Sequence, residues 1–160
     1  MRGPGPRIPA GGSLPPASLE GRTMPEVAGV LETVLYVDDL ERAAAFWGGP
    51  MGLPCIHSDH RMRAFDVAGR GVLLLFPRGG SLHPIETPGG TIPPHDGQGP
   101  LHLALAIPAE ALGAWEAHLA EAGIAVEGRT HWPRGGTSLY FRDPDGHLVE
   151  LATPGLWKGY

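Results

Sequence analysis

Gly29-Val-Leu-Glu-Thr-Val-Leu-Tyr-Val37, followed by Asp38-Asp39-Leu40, is the stretch on which the fold turns. Mostly β-branched, aromatic and Leu side chains make it a strand. The two aspartates then offer a helix cap, with Glu41 three residues after Asp38. Leu40 to Trp47 reads as a short helix that Gly48-Gly49-Pro50 stops. Beyond it, strands are expected near Pro54–His57, Arg61–Val67 and Gly71–Phe76, separated by polar or Gly-containing residues.

Further along, the same order returns. Leu101 to Ile107 is a strand, and Pro108 suits the first turn of a helix. Leu112, Trp115, Leu119 and Ala122 step by three and four, which gives one apolar helical face, and Gly123 ends it. Strands are expected near Ile124–Glu127, Thr137–Phe141 and His147–Ala152. Laid on each other, the halves align Glu32 with His102 at an offset of 70, and Gly71–Phe76 with Gly146–Leu151 at an offset of 75. The fold class is therefore α+β, with two βαβββ modules whose incomplete cores pack together. Arg78 to Gly99, rich in Gly and Pro, reads as a long loop without strands, of a length often used for a lid.

The ends and the bulk composition set limits. Residues 1–23 are Gly/Pro-rich and aperiodic and lack the apolar stretch of a secretory signal, so they read as a disordered tail ahead of Met24. The rest, 24–160, is expected to be one domain: module one at about 27–80, a linking loop at 81–99 and module two at about 100–157. A net charge of −5 without a Lys/Arg cluster argues against nucleic acid or an anionic membrane as partner. No apolar run approaches the roughly 18 residues of a membrane span. The single cysteine, Cys55, rules out an intrachain disulfide and suits a cytoplasmic location; with no activating neighbourhood it reads as structural.

Three residues interrupt apolar strands with metal-capable side chains: Glu32 in Val30–Leu35, His102 in Leu101–Leu105 and Glu150 in Leu148–Ala152. Taken singly, each has a bland account: a strand carboxylate facing solvent, or a hydrogen-bonded structural histidine. Taken together, at matching points of repeated strands, two carboxylates and an imidazole can share one cation. Asp143-Pro-Asp-Gly146 fits a type I turn, with His147 beside it structural.

These segments carry a resemblance. Glu32-Thr-Val-Leu-Tyr-Val-Asp-Asp-Leu40 with Phe46-Trp47, Gly99-Pro-Leu-His102-Leu-Ala-Leu-Ala-Ile107, and Leu139-Tyr-Phe-Arg-Asp-Pro-Asp-Gly-His-Leu-Val-Glu150-Leu151 resemble the vicinal-oxygen-chelate superfamily of glyoxalases, bleomycin resistance proteins and extradiol dioxygenases. The resemblance spans about Val27 to Trp157. It implies a curled mixed sheet around a central cleft, with one divalent metal ion (Mn, Fe, Ni, Zn or Mg) held by Glu32, His102 and Glu150. Relatives commonly carry His or Gln at the Glu32 position, so this set has an extra carboxylate and favours harder cations. The fourth-ligand position of glyoxalase I is read as Leu75, which makes that enzyme a poor match.

The resulting expectation is a metal-dependent lyase, isomerase, transferase or dioxygenase acting on a small oxygenated molecule. Glu32 and Glu150 would be its catalytic carboxylates, and His95, Trp132, Arg134 and Tyr140 its substrate-binding residues. The alternative is a metal-free binding protein of the bleomycin-resistance type. The partner is a small molecule; module pairing within one chain and pairing between the chains of a homodimer both remain open.

Overall fold

Asp39, rather than Asp38, caps the first helix: its carboxylate accepts the backbone N–H groups of Glu41 and Arg42. The helix α1 (Leu40–Gly48) follows strand β1 (Glu32–Val37) and buries Ala43, Phe46 and Trp47, a three-and-four spacing, on one face. It ends where the Gly49 N–H returns to the Ala45 carbonyl, at a site where any Cβ would lie 2.5 Å from that oxygen. Strands β2 (Cys55–Ser58), β3 (Arg63–Val67) and β4 (Gly71–Pro77) complete module one. The computed structural model describes residues 25–160; the expected tail, 1–23, and the reading of Met24 as a start lie outside the described residues.

A hairpin, β5 (Ile85–Thr87) and β6 (Gly90–Ile92), occupies part of the linking segment read as strandless. Module two is β7 (His102–Ala106), a single 3-10 turn at Ala109–Ala111, α2 (Leu112–Glu121), β8 (Gly128–His131), β9 (Thr137–Arg142) and β10 (Leu148–Ala152). Gly123, at φ +70°, closes α2, and the Ile124 N–H reaches back to the Leu119 carbonyl. Ile124 thus packs on the core as part of the helix exit, and the strand expected at Ile124–Glu127 begins only at Gly128.

The two sheets have the same order, β1-β4-β3-β2 and β7-β10-β9-β8, with the first pair parallel in each. Their register corrects the expected alignment. Glu32 pairs with Val72 and Val34 with Leu74; His102 pairs with Leu148 and Ala104 with Glu150. Leu74, not Leu75, is therefore the counterpart of Glu150, at an offset of 76 rather than 75. The slip of one residue moves the side chain to the other face. Leu75 is fully buried in the core against the helices, while Leu74 lies on the opposite face with Tyr36, Ala64 and Phe76.

One core spans both modules: Leu35, Val37, Phe46 and Trp47 join Leu119, Leu139, Phe141 and Val149, with the Phe46 and Phe141 rings 6.5 Å apart. A second tie is polar. The Leu101 N–H donates to His147 Nδ1 at 2.9 Å, which fixes the other ring nitrogen as the donor to the Tyr36 carbonyl, also at 2.9 Å. Asp145 accepts the Asp38 N–H and the Arg42 guanidinium. The Asp143–Gly146 turn carries Asp145, with His147 directly after it, and forms as expected, with the Gly146 N–H bonded to the Asp143 carbonyl. Burial pushes the Asp143 carboxyl up, against the pull of the His147 backbone N–H. No helix among the described residues is long and apolar enough to cross a membrane.

Candidate metal centre

Strand alternation puts His102, Ala104 and Ala106 on the sheet face away from the helices, together with Tyr140, Ser138 and Glu150 from the neighbouring strands. The His102 side chain is 49% exposed and the Glu150 side chain 6%. The two small alanines leave open space beside the imidazole. On the other sheet, Glu32, Val34 and Tyr36 occupy the matching face of β1.

His102 and Glu150 meet, with Nε2 3.2 Å from Oε2. The hydrogen bonds around them make this contact informative. His102 Nδ1 lies 3.0 Å from the Leu148 carbonyl, which can only accept, so Nδ1 carries a proton. A neutral ring then turns the Nε2 lone pair toward a carboxylate oxygen. Two acceptors facing each other require either a proton, on the ring or on the carboxyl, or a cation between them. A backbone carbonyl fixing the distal nitrogen is also the usual support of a metal-bound histidine.

Glu150 is oriented from behind. Its Oε1 accepts the Ser138 hydroxyl and, at 3.2 Å, the Tyr140 hydroxyl, while Ser138 accepts the Trp132 indole N–H at 2.8 Å. Oε2 is left pointing at His102. Two donors at about 2.0–2.2 Å from one ion lie at most about 4.4 Å apart, so the 3.2 Å separation fits a shared cation.

Glu32 does not join this pair within one chain. It is exposed on β1 at the seam between the sheets, where it shares a small cavity of about 130 Å³ with Ala104. Among the described residues no three His, Cys, Asp or Glu side chains form a metal-sized group. Trp132 and Tyr140, expected to meet substrate, direct their polar atoms into the Glu150 chain. Arg134 is exposed in the turn that the Trp132–Gly136 hydrogen bond closes. His95 lies on the face shared by Glu32 and Tyr36, its Nδ1 2.7 Å from the Tyr36 hydroxyl. Cys55, read as structural, is exposed on the edge strand β2.

Ser138 escaped the sequence reading. The available signal was its alternation with Tyr140, which puts both on one face of the strand that precedes Glu150 in the repeat. The register supplied the rest.

Comparisons with known proteins identify the family. The family model described as "Glyoxalase/Bleomycin resistance protein/Dioxygenase superfamily" matches residues 29–151. Metallothiol transferase FosB of Bacillus licheniformis is 28% identical over 129 residues, 80% of this chain and 77% of that protein. The crystal structure of lactoylglutathione lyase from Agrobacterium tumefaciens has a TM-score of 0.75 and 32% identity, covering 82% of this chain and 97% of that one. Oxidase ChaP-H2, at 17% identity and a TM-score of 0.63, covers 84% of this chain and 100% of its own and shares the fold. With most of its length matched by the family model, and two copies of the same strand order around a shared core, the chain belongs to the glyoxalase/bleomycin resistance protein/dioxygenase superfamily.

Proposed function

We propose that the protein is a divalent-metal-dependent enzyme acting on a small oxygenated substrate, with His102 Nε2, Glu150 Oε2 and the Glu32 carboxylate as metal donors. The observation that carries this reading is the approach of His102 Nε2 to Glu150 Oε2 at 3.2 Å, with Nδ1 held by the Leu148 carbonyl. Relatives named as a metallothiol transferase and a lactoylglutathione lyase support transferase or lyase chemistry in this fold. A bound divalent ion supplies a Lewis acid for a substrate oxygen. Ser138 and Tyr140 hold Glu150 in its ligating orientation. Released from the metal, Glu32, which is exposed at the seam, would be the carboxylate that takes a proton from a substrate atom. Ala104 and Ala106 leave the space in which that atom sits.

The third donor comes either from the same chain, by closure of the seam, or from a second copy. Val27, Val30 and Leu31, just before β1, are 88%, 81% and 73% exposed, and β1 and β7 are both sheet edges. Apolar residues beside open edges suit a homodimer.

Manganese, nickel or zinc added to metal-free protein should raise the thermal midpoint by mass action, and His102→Ala should abolish the response. Mixing Glu32→Gln with His102→Ala protein assigns the third donor: metal binding recovers only if the donors come from different chains. A second reading, a metal-free small-molecule binder, is favoured by the separation of Glu32 from the other two. In that protein a proton rather than a cation lies between His102 and Glu150, and no divalent ion shifts the midpoint.

A further inference from the structure

The face of module one carries a cavity of about 490 Å³ that the metal donors do not use, apart from Glu32 at one end. That volume falls within the range of small-molecule sites. Val34, Leu74 and Phe76 form its floor, Met62 one wall, and Ile85 and Ile92 of the hairpin another. The hairpin register places the two isoleucines opposite each other, and Ile92 remains 47% exposed. The other hairpin face carries the Glu86–Thr91 hydrogen bonds.

The polar groups gather at the far end. Tyr36 lies four residues beyond Glu32 on the same face of β1, about 13 Å along the strand. Its hydroxyl meets His95, whose ring stands edge-on against Phe76 at 4.9 Å. The Gly97 backbone presses on the Tyr36 ring so closely that a Cβ there would lie 2.5 Å from Cδ2. Burial, and then the Asp96 carboxylate, hold the Tyr36 pKa above its ordinary value, so the phenol keeps its proton. With that proton donated to His95 Nδ1, the Nε2–H of His95 is left for a ligand.

Arg61 lines the same cavity. Arg63 sits opposite Leu75, so position 61 lies level with the C-terminal end of β4, where Tyr36 pairs with Phe76. Its backbone is fixed by Asp59, whose carboxylate accepts the N–H groups of Arg61 and Met62 and is thereby held at a pKa of about 2. Arg42, Arg63, Arg78, Arg129 and Arg142 each hold a carboxylate. Arg61, like Arg70 and Arg134, holds none among the described residues, and of these three it alone lines this cavity.

We propose that this cavity binds the apolar, anionic end of a small organic acid, with Arg61 as the anion anchor and the Tyr36–His95 pair as its second polar contact. The chain of the ligand lies along Val34 and Leu74 under the isoleucine pair. Its opposite end, about 13 Å away, reaches the Glu32 end of the cleft. The proposed substrate class follows: an elongated acid with oxygen donors at one end and a carboxylate or similar monoanion at the other. Only that coupling to the metal end rests on the function proposed above; the cavity and its anchor do not.

The test uses metal-free full-length protein, with octanoate and its neutral isostere octanamide as probes, titrated calorimetrically. Octanoate should bind on the order of tenfold more tightly, the worth of one charge-assisted hydrogen bond. Arg61→Gln should remove that preference while leaving octanamide binding intact. Because the Arg61 contribution to the turn is its backbone N–H, an unchanged thermal midpoint accompanies this result. Ile92→Glu should weaken both probes. His102→Ala should leave octanoate binding unchanged, which separates this site from the metal reading. Equal affinity for the two probes, no binding of octanoate at millimolar concentration, or a preference that survives Arg61→Gln overturns the proposal.

Discussion

Ser138 determines which oxygen of Glu150 faces His102. Its hydroxyl occupies Oε1 together with Tyr140, and its own acceptor position is filled by Trp132. Loss of an outer partner of a metal ligand typically costs 10–100-fold in affinity, so Ser138→Ala should weaken divalent-ion binding by about that factor. It also strands the Trp132 N–H, a loss of roughly 1–3 kcal/mol in stability. Metal titration together with urea denaturation checks both; unchanged metal affinity in a destabilised variant would reduce Ser138 to a packing role. At this scale the sequence showed which residues break the apolar strands but not who holds them. Glu32, His102 and Glu150 stand out because charge inside an apolar strand is rare. Ser138 and Arg61 do not, since a serine in a strand or an arginine in a turn is common, and their roles depend on which strand lies alongside.

Strand register explains both the success and the failure of the repeat alignment. The β1/β7 offset was legible because Glu32 and His102 each mark one position in an apolar run. The β4/β10 offset was misread by one residue, since Gly71 and Gly146 look equivalent. Gly71 opens β4, whereas Gly146 belongs to the preceding turn at φ +81°. Val72–Phe76 has no polar residue to show which side faces out. The hairpin β5–β6 was missed although Pro88-Gly89, between Ile85-Glu-Thr87 and Gly90-Thr-Ile92, was an available turn signal. The corrected register makes a prediction. Leu75→Ala opens a void in the core shared with the helices and should cost about 2–5 kcal/mol. Leu74→Ala should cost clearly less, because its side chain borders the open cleft and water can fill the space. Equal losses in urea unfolding would mean that the two faces are not distinct.

The whole molecule depends on how the modules are pinned together. The shared core is non-directional, so apolar contacts such as Phe46 against Phe141 allow sliding that the cleft could not tolerate. His147 supplies the direction. It is fully buried, accepts from Leu101 at the entry to β7 and donates to the Tyr36 carbonyl near the end of β1. It thereby fixes the start of the His102 strand against the strand that carries Glu32 and Tyr36. His147→Ala removes both bonds and leaves the part-buried Leu101 N–H and the buried Tyr36 carbonyl without this partner, in addition to a cavity. The expected loss is about 2–4 kcal/mol, from unpaired backbone groups and a void in a packed interface. Unfolding should remain a single cooperative transition, since the core still crosses the seam. The His102–Glu150 contact lies within module two, so any remaining metal affinity there should survive better than functions that need Glu32. Two resolved transitions, or a loss below about 0.5 kcal/mol, would show that the modules are held by their apolar contact alone and that His147 does not set their alignment.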